Sequence, residues 1–329
     1  MFIYYMFTKV FARVAFLVIL IPAITACKNQ SHDEPFSAYL FAYFMGNGPG
    51  EEAIHFAISE DGFNFQALNN NKPVITADTI SSRGGVRDPH ILRGEDGMFY
   101  MVVTDLYVPR DGWNNNKAMV FLKSENLIDW SSSVVNISDL FPEFHDVYRV
   151  WAPQTFFDNE KGKYMVYFSM IQPGGYDIIY YSYANANFSS LETTPKQLFY
   201  HPDGIASIDG DIVYKDGKYH LFFKTEGGGK GIKKAVSTNL THGYEMIDKY
   251  LHKIDAGVEG SCVYRLIDSD TFILMYDVYT LGRYQFTKST DLLNFEVIDH
   301  KVSMDFRPRH GTVIHITKSE LEALREKWQ

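Results

Sequence analysis

His310-Gly311-Thr312-Val313-Ile314-His315-Ile316 has the apolar, β-branched character of a strand. The few residues after it cannot supply the hairpin partners that similar strands have elsewhere in the chain. Four other short strands begin near Asp88, Trp151, Asp209 and Glu259, and each precedes a turn that leads into an aromatic-rich strand. The turns are Asp96-Gly97 before Phe99, Lys161-Gly162 before Tyr164, Asp216-Gly217 before Tyr219 and Ser269-Asp270 before Phe272. Asp-Gly between apolar runs marks a tight hairpin, because glycine accepts the positive φ that the turn needs. A Ser/Asn-rich turn closing on an aromatic recurs as Ser59 to Phe65, Ser124 to Trp130, Ser237 to Tyr244 and Ser289 to Phe295, with Ala184 to Phe188 a degenerate copy.

A repeat of about 50 to 65 residues indicates a propeller or an array. Ala38 to Leu68 holds the later strands of a blade and lacks a first one, and His310 to Ile316 is a first strand without followers. Joining the two closes a ring and removes the open sheet edges. The expectation is an all-β, five-bladed β-propeller over residues 37–317, closed by pairing the C-terminal inner strand with the N-terminal strands. A short C-terminal helix follows over 318–329, with Ser319-Glu320-Leu321-Glu322 as its capping box.

Composition narrows the function. The formal charge is −9 and no stripe of Lys and Arg occurs, which argues against nucleic acid as a partner. Aromatic residues make up 16% of the chain, a bias toward pleated, half-buried surfaces. Only Cys27 and Cys262 are present, so neither a disulfide framework nor a cysteine metal site is available. Lys9 and Arg13 precede the apolar run Val14 to Ala26, which suits a signal-peptide core and is short for a membrane span. Ile24-Thr25-Ala26-Cys27 resembles the bacterial lipobox. Residues 1–26 are therefore expected to be a lipoprotein signal peptide, Cys27 the lipid attachment site and 27–36 a tether. The lipid would be the sole membrane contact, on the periplasmic or cell-surface face of the outer membrane.

In a propeller the first strand of every blade lines the central channel, so residues that begin those strands converge. Three of the five are acidic, namely Asp88, Asp209 and Glu259. Glycosidic cleavage with inversion needs one protonated carboxyl to donate to the leaving oxygen and one carboxylate to activate water. Crowding acids raises the pKa of the least solvated member.

Arg87-Asp88-Pro89-His90-Ile91, Val150-Trp151-Ala152-Pro153, Ile208-Asp209-Gly210-Asp211-Ile212, Val258-Glu259-Gly260-Ser261 and Arg309-His310-Gly311-Thr312-Val313 resemble, in order, the five inner-strand motifs of glycoside hydrolase family 43. The resemblance implies an inverting enzyme acting on an oligo- or polysaccharide, with Asp88 as general base, Asp209 as pKa modulator and Glu259 as general acid. Asp211 is a rival to Asp209, since alternation points both the same way. The N-terminal offset of the last blade resembles a subgroup acting on L-arabinofuranosides or D-galactofuranosides. Trp151, His90 and Arg283 are candidate sugar contacts. The resemblance also implies that no cofactor is required, with a possible structural calcium in the channel near His310, bridged by water. β-Xylosidase activity and a non-catalytic glycan-binding lipoprotein are the alternatives. An invertase-like enzyme is disfavoured because no Asn-Asp-Pro-Asn motif precedes residue 87.

Overall fold

Hairpins set the architecture. Gly97 and Gly217 take φ of 80° and 76° in their turns, and each returns an aromatic-rich strand against the inner strand before it. The computed structural model describes residues 34–226 and 230–329; the expected signal peptide, Cys27 and most of the tether lie outside the described residues.

Four blades are antiparallel meanders of four strands that run outward from the channel. The first comprises Val86–Arg93, Phe99–Asp105, Ala118–Ser124 and Ser131–Asn136, and the second begins with Arg149–Asp158. The third begins with Ala206–Lys215 and the fourth with Glu259–Arg265. In the fifth blade Gly311–Thr317 is innermost and pairs antiparallel with Phe36–Tyr43, with Tyr43 opposite Gly311 and Phe36 opposite Thr317. His55–Ser59 and Asn64–Ala67 follow outward. The chain is thus an all-β five-bladed propeller whose ring is closed by its two ends. Elements not foreseen include the short helices Ala77–Ile80, Val108–Asp111 and Ile137–Leu140 and the strand Ser303–Met304, which adds to Asn64–Ala67 as a parallel outermost strand.

The Ser/Asn turns owe their recurrence to side chains that replace backbone partners. Asp61, Asn126 and Asp291 each accept two backbone N–H bonds through Oδ1, and Asn185 does the same in the degenerate copy.

Packing between blades follows from strand alternation. Along Phe36–Tyr43, Leu40 and Ala42 join Phe56, Ile91, Met101 and Val103 on the side of the first blade. Phe41 and Tyr43 face the fourth blade, among Met275, Tyr284 and Phe286. The closing strand is therefore apolar on both faces.

The C-terminal helix, Lys318–Trp328, packs on the outside of this seam, with Leu321 and Leu324 in the core cluster and Trp328 edge-on to Phe56. Its capping box begins two residues earlier than the sequence suggested, at Thr317. The Thr317 hydroxyl accepts from the Glu320 N–H and the Glu320 carboxylate accepts from the Thr317 N–H. Glu320 also takes a hydrogen bond from Arg93 of the first blade at 2.9 Å, which rewards the earlier start with an ion pair that Glu322 could not make.

Leu324 is fully buried while Glu326 is exposed. Leu324→Ala should lower unfolding stability by about 2–5 kcal/mol, and Glu326→Ala by less than about 0.5 kcal/mol. Denaturant midpoints check this; equal midpoints would mean that the helix is not part of the cooperative unit.

Candidate active site

Each of the first four inner strands carries the same irregularity near its start. Pairing with the second strand slips between Arg87 and His90, Trp151 and Gln154, Ile208 and Asp211, and Glu259 and Cys262. Within each slip one residue is left-handed: Asp88, Ala152, Asp209 and Gly260, with φ of 52°, 44°, 53° and 59°. Bulges of this kind bend a strand and re-aim its side chains. They also correct the expected register. Asp88 and Asp209 are equivalent, whereas Glu259 stands one position earlier, matching Arg87, Trp151 and Ile208, with Gly260 in the left-handed seat. Glycine is required there on a second count, because a Cβ would lie 2.6 Å from Cγ of His310.

The three acids nevertheless line one cavity of ≈ 50 Å³ on the channel, together with Trp151, His310, Arg87 and Trp113. One wall is a stack of rings and guanidinium groups. Arg87 lies between the rings of Phe44 and Trp113, at 4.3 and 4.9 Å from their centroids, and Trp113 meets Trp151 edge-on. Arg149 covers Trp151 at 3.7 Å, and the Trp151 indole N–H donates to Asn116.

The carboxyls are treated differently. Asp88 has Nδ1 of His310 3.3 Å from Oδ1 and accepts from the Thr104 hydroxyl at 2.8 Å. Burial alone would raise its pKa, but the His310 hydrogen bond and charge, with Arg87 and Thr104, outweigh that and hold it below the usual range. Asp209 accepts the Gly260 N–H at 3.0 Å, and burial, only partly offset by His310, pushes it up to about 6. Glu259 accepts from Lys224 at 2.9 Å and from Arg309 at 2.6 Å. Burial works to raise it, and those two cations bring it below the usual range. Of the two, Asp209 therefore takes up a proton more readily than Glu259.

Asp211 does not line the cavity. Its Oδ2 accepts the Val263 N–H at 2.6 Å, and burial pushes it up to about 7. Two further candidates lie outside this pocket. His90 is buried away from the cavity lining, with Nδ1 engaged by the Thr155 hydroxyl and N–H at 3.1 and 3.2 Å; burial and the charge of His310 push it down to about 3. Arg283 pairs with Asp299 at 3.3 Å and lines a separate cavity. Where a calcium bridged by water is expected, Nδ1 of His310 lies 3.3 Å from Oδ1 of Asp88. Burial would strip the imidazole of its proton, but the Asp88 hydrogen bond and the surrounding carboxylates hold its pKa up to about 9. Among the described residues no group of three or more His, Cys, Asp or Glu side chains is arranged to hold a metal.

Sequence reading missed Lys224, Arg309, Asp277 and Trp113. Arg309 donates through Nε to Asp277 and through Nη2 to Glu259, and Lys224 pairs also with Glu226 at 2.6 Å. A signal existed: Lys224 and Asp277 interrupt apolar second strands, Leu221-Phe222-Phe223 and Met275-Tyr276, where a buried charge implies a partner.

Residues 34–322 match the family described as a probable glycosyl hydrolase domain, related to glycoside hydrolase family 43. An α-L-arabinofuranosidase of Bifidobacterium longum subsp. longum is 25% identical over 225 residues, 61% of this chain and 21% of that protein; the chain thus spans about a fifth of the length of the curated relative it matches. Among solved structures, a xylan β-1,4-xylosidase from Bacillus halodurans C-125 is similar with a TM-score of 0.58 at 15% identity, over 85% of this chain and 56% of that one. An endo-1,4-β-xylanase from Bacteroides thetaiotaomicron VPI-5482 has a TM-score of 0.55 at 14% identity, over 82% and 97%. At such identities the likeness concerns the fold.

The pKa of His310 rises from 6.5 to about 9 on folding, so the stability it contributes is complete below pH 6.5 and lost as the pH rises through 9. Wild-type protein should lose up to about 3 kcal/mol across that window, and His310→Asn should lack this component. Urea unfolding at pH 6 and pH 9.5 measures it; parallel pH dependences in the two proteins would refute the charged His310–Asp88 pair.

Proposed function

The chain belongs to the family of probable glycosyl hydrolase domains related to glycoside hydrolase family 43, and from that premise we propose that it is an inverting, exo-acting glycosidase. Its substrates would be terminal α-L-arabinofuranosyl, or β-D-galactofuranosyl, residues of plant or microbial polysaccharides. The observation that carries this reading is the opposite treatment of carboxyls within one small pocket. Asp88 is held ionised, while the neighbouring pair of Asp209 and Glu259 retains a proton at mildly acidic pH.

In this reading Asp88 takes a proton from the attacking water. His310 and Thr104 fix its orientation and keep it ionised until that moment. Glu259 gives a proton to the leaving oxygen, and Asp209 holds the proton in reserve, fixed by the Gly260 N–H beside Glu259. The displacement is single: water oxygen bonds to the anomeric carbon as the glycosidic bond breaks, with protons passing to Asp88 and from Glu259. Trp113 and Trp151 in the pocket wall offer aromatic faces on which a terminal sugar ring can stack. The lipobox-like segment supports an exported lipoprotein held to the membrane through Cys27.

The test is a panel of aryl glycosides and oligosaccharides, with aryl β-D-xyloside included. We expect wild type to favour the α-L-arabinofuranoside or the β-D-galactofuranoside, with inverted first-formed sugar by proton NMR. Glu259→Gln should lose about 10²–10⁴-fold in kcat/KM on natural leaving groups and much less on a nitrophenyl leaving group that needs no proton. Because the acid must be protonated, kcat/KM should fall as the pH rises through about 6, the value for Asp209. A retained anomer, or equal losses on both leaving groups, would defeat the assignment.

A further inference from the structure

A second cavity, ≈ 400 Å³, opens between the fourth and fifth blades and includes Arg283, Tyr284, Asp299, Phe306 and Arg307 in its lining. Its position follows from the chain. Arg307 is two residues from Arg309, so the two Cα atoms are at most about 7 Å apart, and Arg309 is the residue that grips Glu259. The Tyr284 hydroxyl, in the wall, donates to the Arg309 carbonyl at 2.9 Å. If Glu259 faces the leaving oxygen, the cavity lies on the leaving-group side of the site.

Its chemistry differs from that of the central pocket. The rings of Tyr284, Phe286 and Phe306 form a buried apolar floor. Arg307 is exposed and makes no ion pair or hydrogen bond with any of the described residues. Arg283 has a half-exposed side chain whose Nη1 donates to one oxygen of Asp299 at 3.3 Å and to the Tyr284 carbonyl at 3.5 Å, leaving its other nitrogens without a partner among the described residues. Asp299 does not depend on it, since its other oxygen accepts the Phe286 N–H at 2.7 Å. Two guanidinium groups against one satisfied carboxylate leave a local positive charge in a chain of formal charge −9. A guanidinium fork over an apolar floor matches a sugar that presents C–H bonds below and a carboxylate at its edge.

We propose that this cavity is a subsite for an acidic sugar, a uronate unit of the polysaccharide from which the terminal residue is removed. The subsite rests on the glycosidase reading for its place beside the leaving group, and its binding can be measured without turnover. Calorimetry on the full chain would compare trigalacturonate with a neutral galactotriose, neither of which carries a furanosyl end. We expect trigalacturonate to bind about fivefold more tightly, with the difference lost at 1 M salt and in Arg307→Glu. Arg265→Ala, which removes an exposed arginine at the far end of the fourth blade's inner strand and outside the cavity lining, should keep the preference. Equal affinities, a preference that survives Arg307→Glu, or competition by inorganic phosphate as effective as by trigalacturonate would each overturn the proposal. Absence of aryl glycoside turnover beside an intact uronate preference would instead remove the glycosidase reading and leave the subsite standing.

Discussion

Pairing of Phe36–Tyr43 with Gly311–Thr317 is the contact on which the site depends, although no proposed catalytic residue lies in the N-terminal strand. It fixes the last inner strand against the rest of the ring, and the start of that strand carries Arg309 and His310 to Glu259 and Asp88. The Phe44 carbonyl accepts the Arg309 N–H, and the Thr312 hydroxyl donates to the Pro89 carbonyl beside Asp88. Closing the ring therefore does more than hide sheet edges. It brings two more cations into the channel beside Lys224 and Arg87, and they further offset the mutual repulsion of three carboxyls in a poorly solvated cavity.

The bulges at the inner strand starts place backbone where the carboxyls need it. A non-glycine residue in the left-handed region costs on the order of 1–3 kcal/mol, and asparagine and aspartate tolerate it best. Asp88 and Asp209 occupy that conformation, and hydrogen bonds to neighbouring strands offset the cost. Thr104 donates to Asp88 and accepts the Ala152 N–H of the next blade, and Asp209 accepts the Gly260 N–H of the blade after it. Asp211 repeats the link at Val263. Each carboxyl is thus oriented by the strand beside it, which ties the geometry of one blade to the register of the next.

The sequence revealed what is local. Hairpin turns, Ser/Asn turns and aromatic strands are each specified within about ten residues, and their repetition disclosed both the blade number and the split fifth blade. The short parallel strand at Ser303–Met304 escaped because two residues carry no periodicity. At the site, Asp88, Asp209, Glu259 and Trp151 were legible because every inner strand must begin at the channel. The one-residue offset of Glu259 was not, since it depends on where a bulge puts its left-handed residue. The surroundings of His90 and Arg283 were not legible for a related reason: their partners, Thr155 on the second blade's inner strand and Asp299 in a short 3-10 helix, lie on other elements, and only the fold decides which neighbour a polar side chain meets.

The cations on Glu259 bear on how it could act as a proton donor. A carboxylate held by both Lys224 and Arg309 is seldom protonated and so seldom ready to donate, and separating a buried cation from its only anion is costly. Neither cation is in that position. Lys224 also reaches Glu226, and Arg309 also reaches Asp277. A sugar oxygen that took the place of either at Glu259 would leave that cation paired and hydrogen-bonded, so the displacement forfeits far less than an isolated pair would. Glu259 would then lose the positive charge that depresses its pKa while its burial remained, and a proton taken up by the adjacent Asp209 would have reason to move. The second carboxylates, Glu226 and Asp277, thus make a gripped glutamate compatible with proton donation.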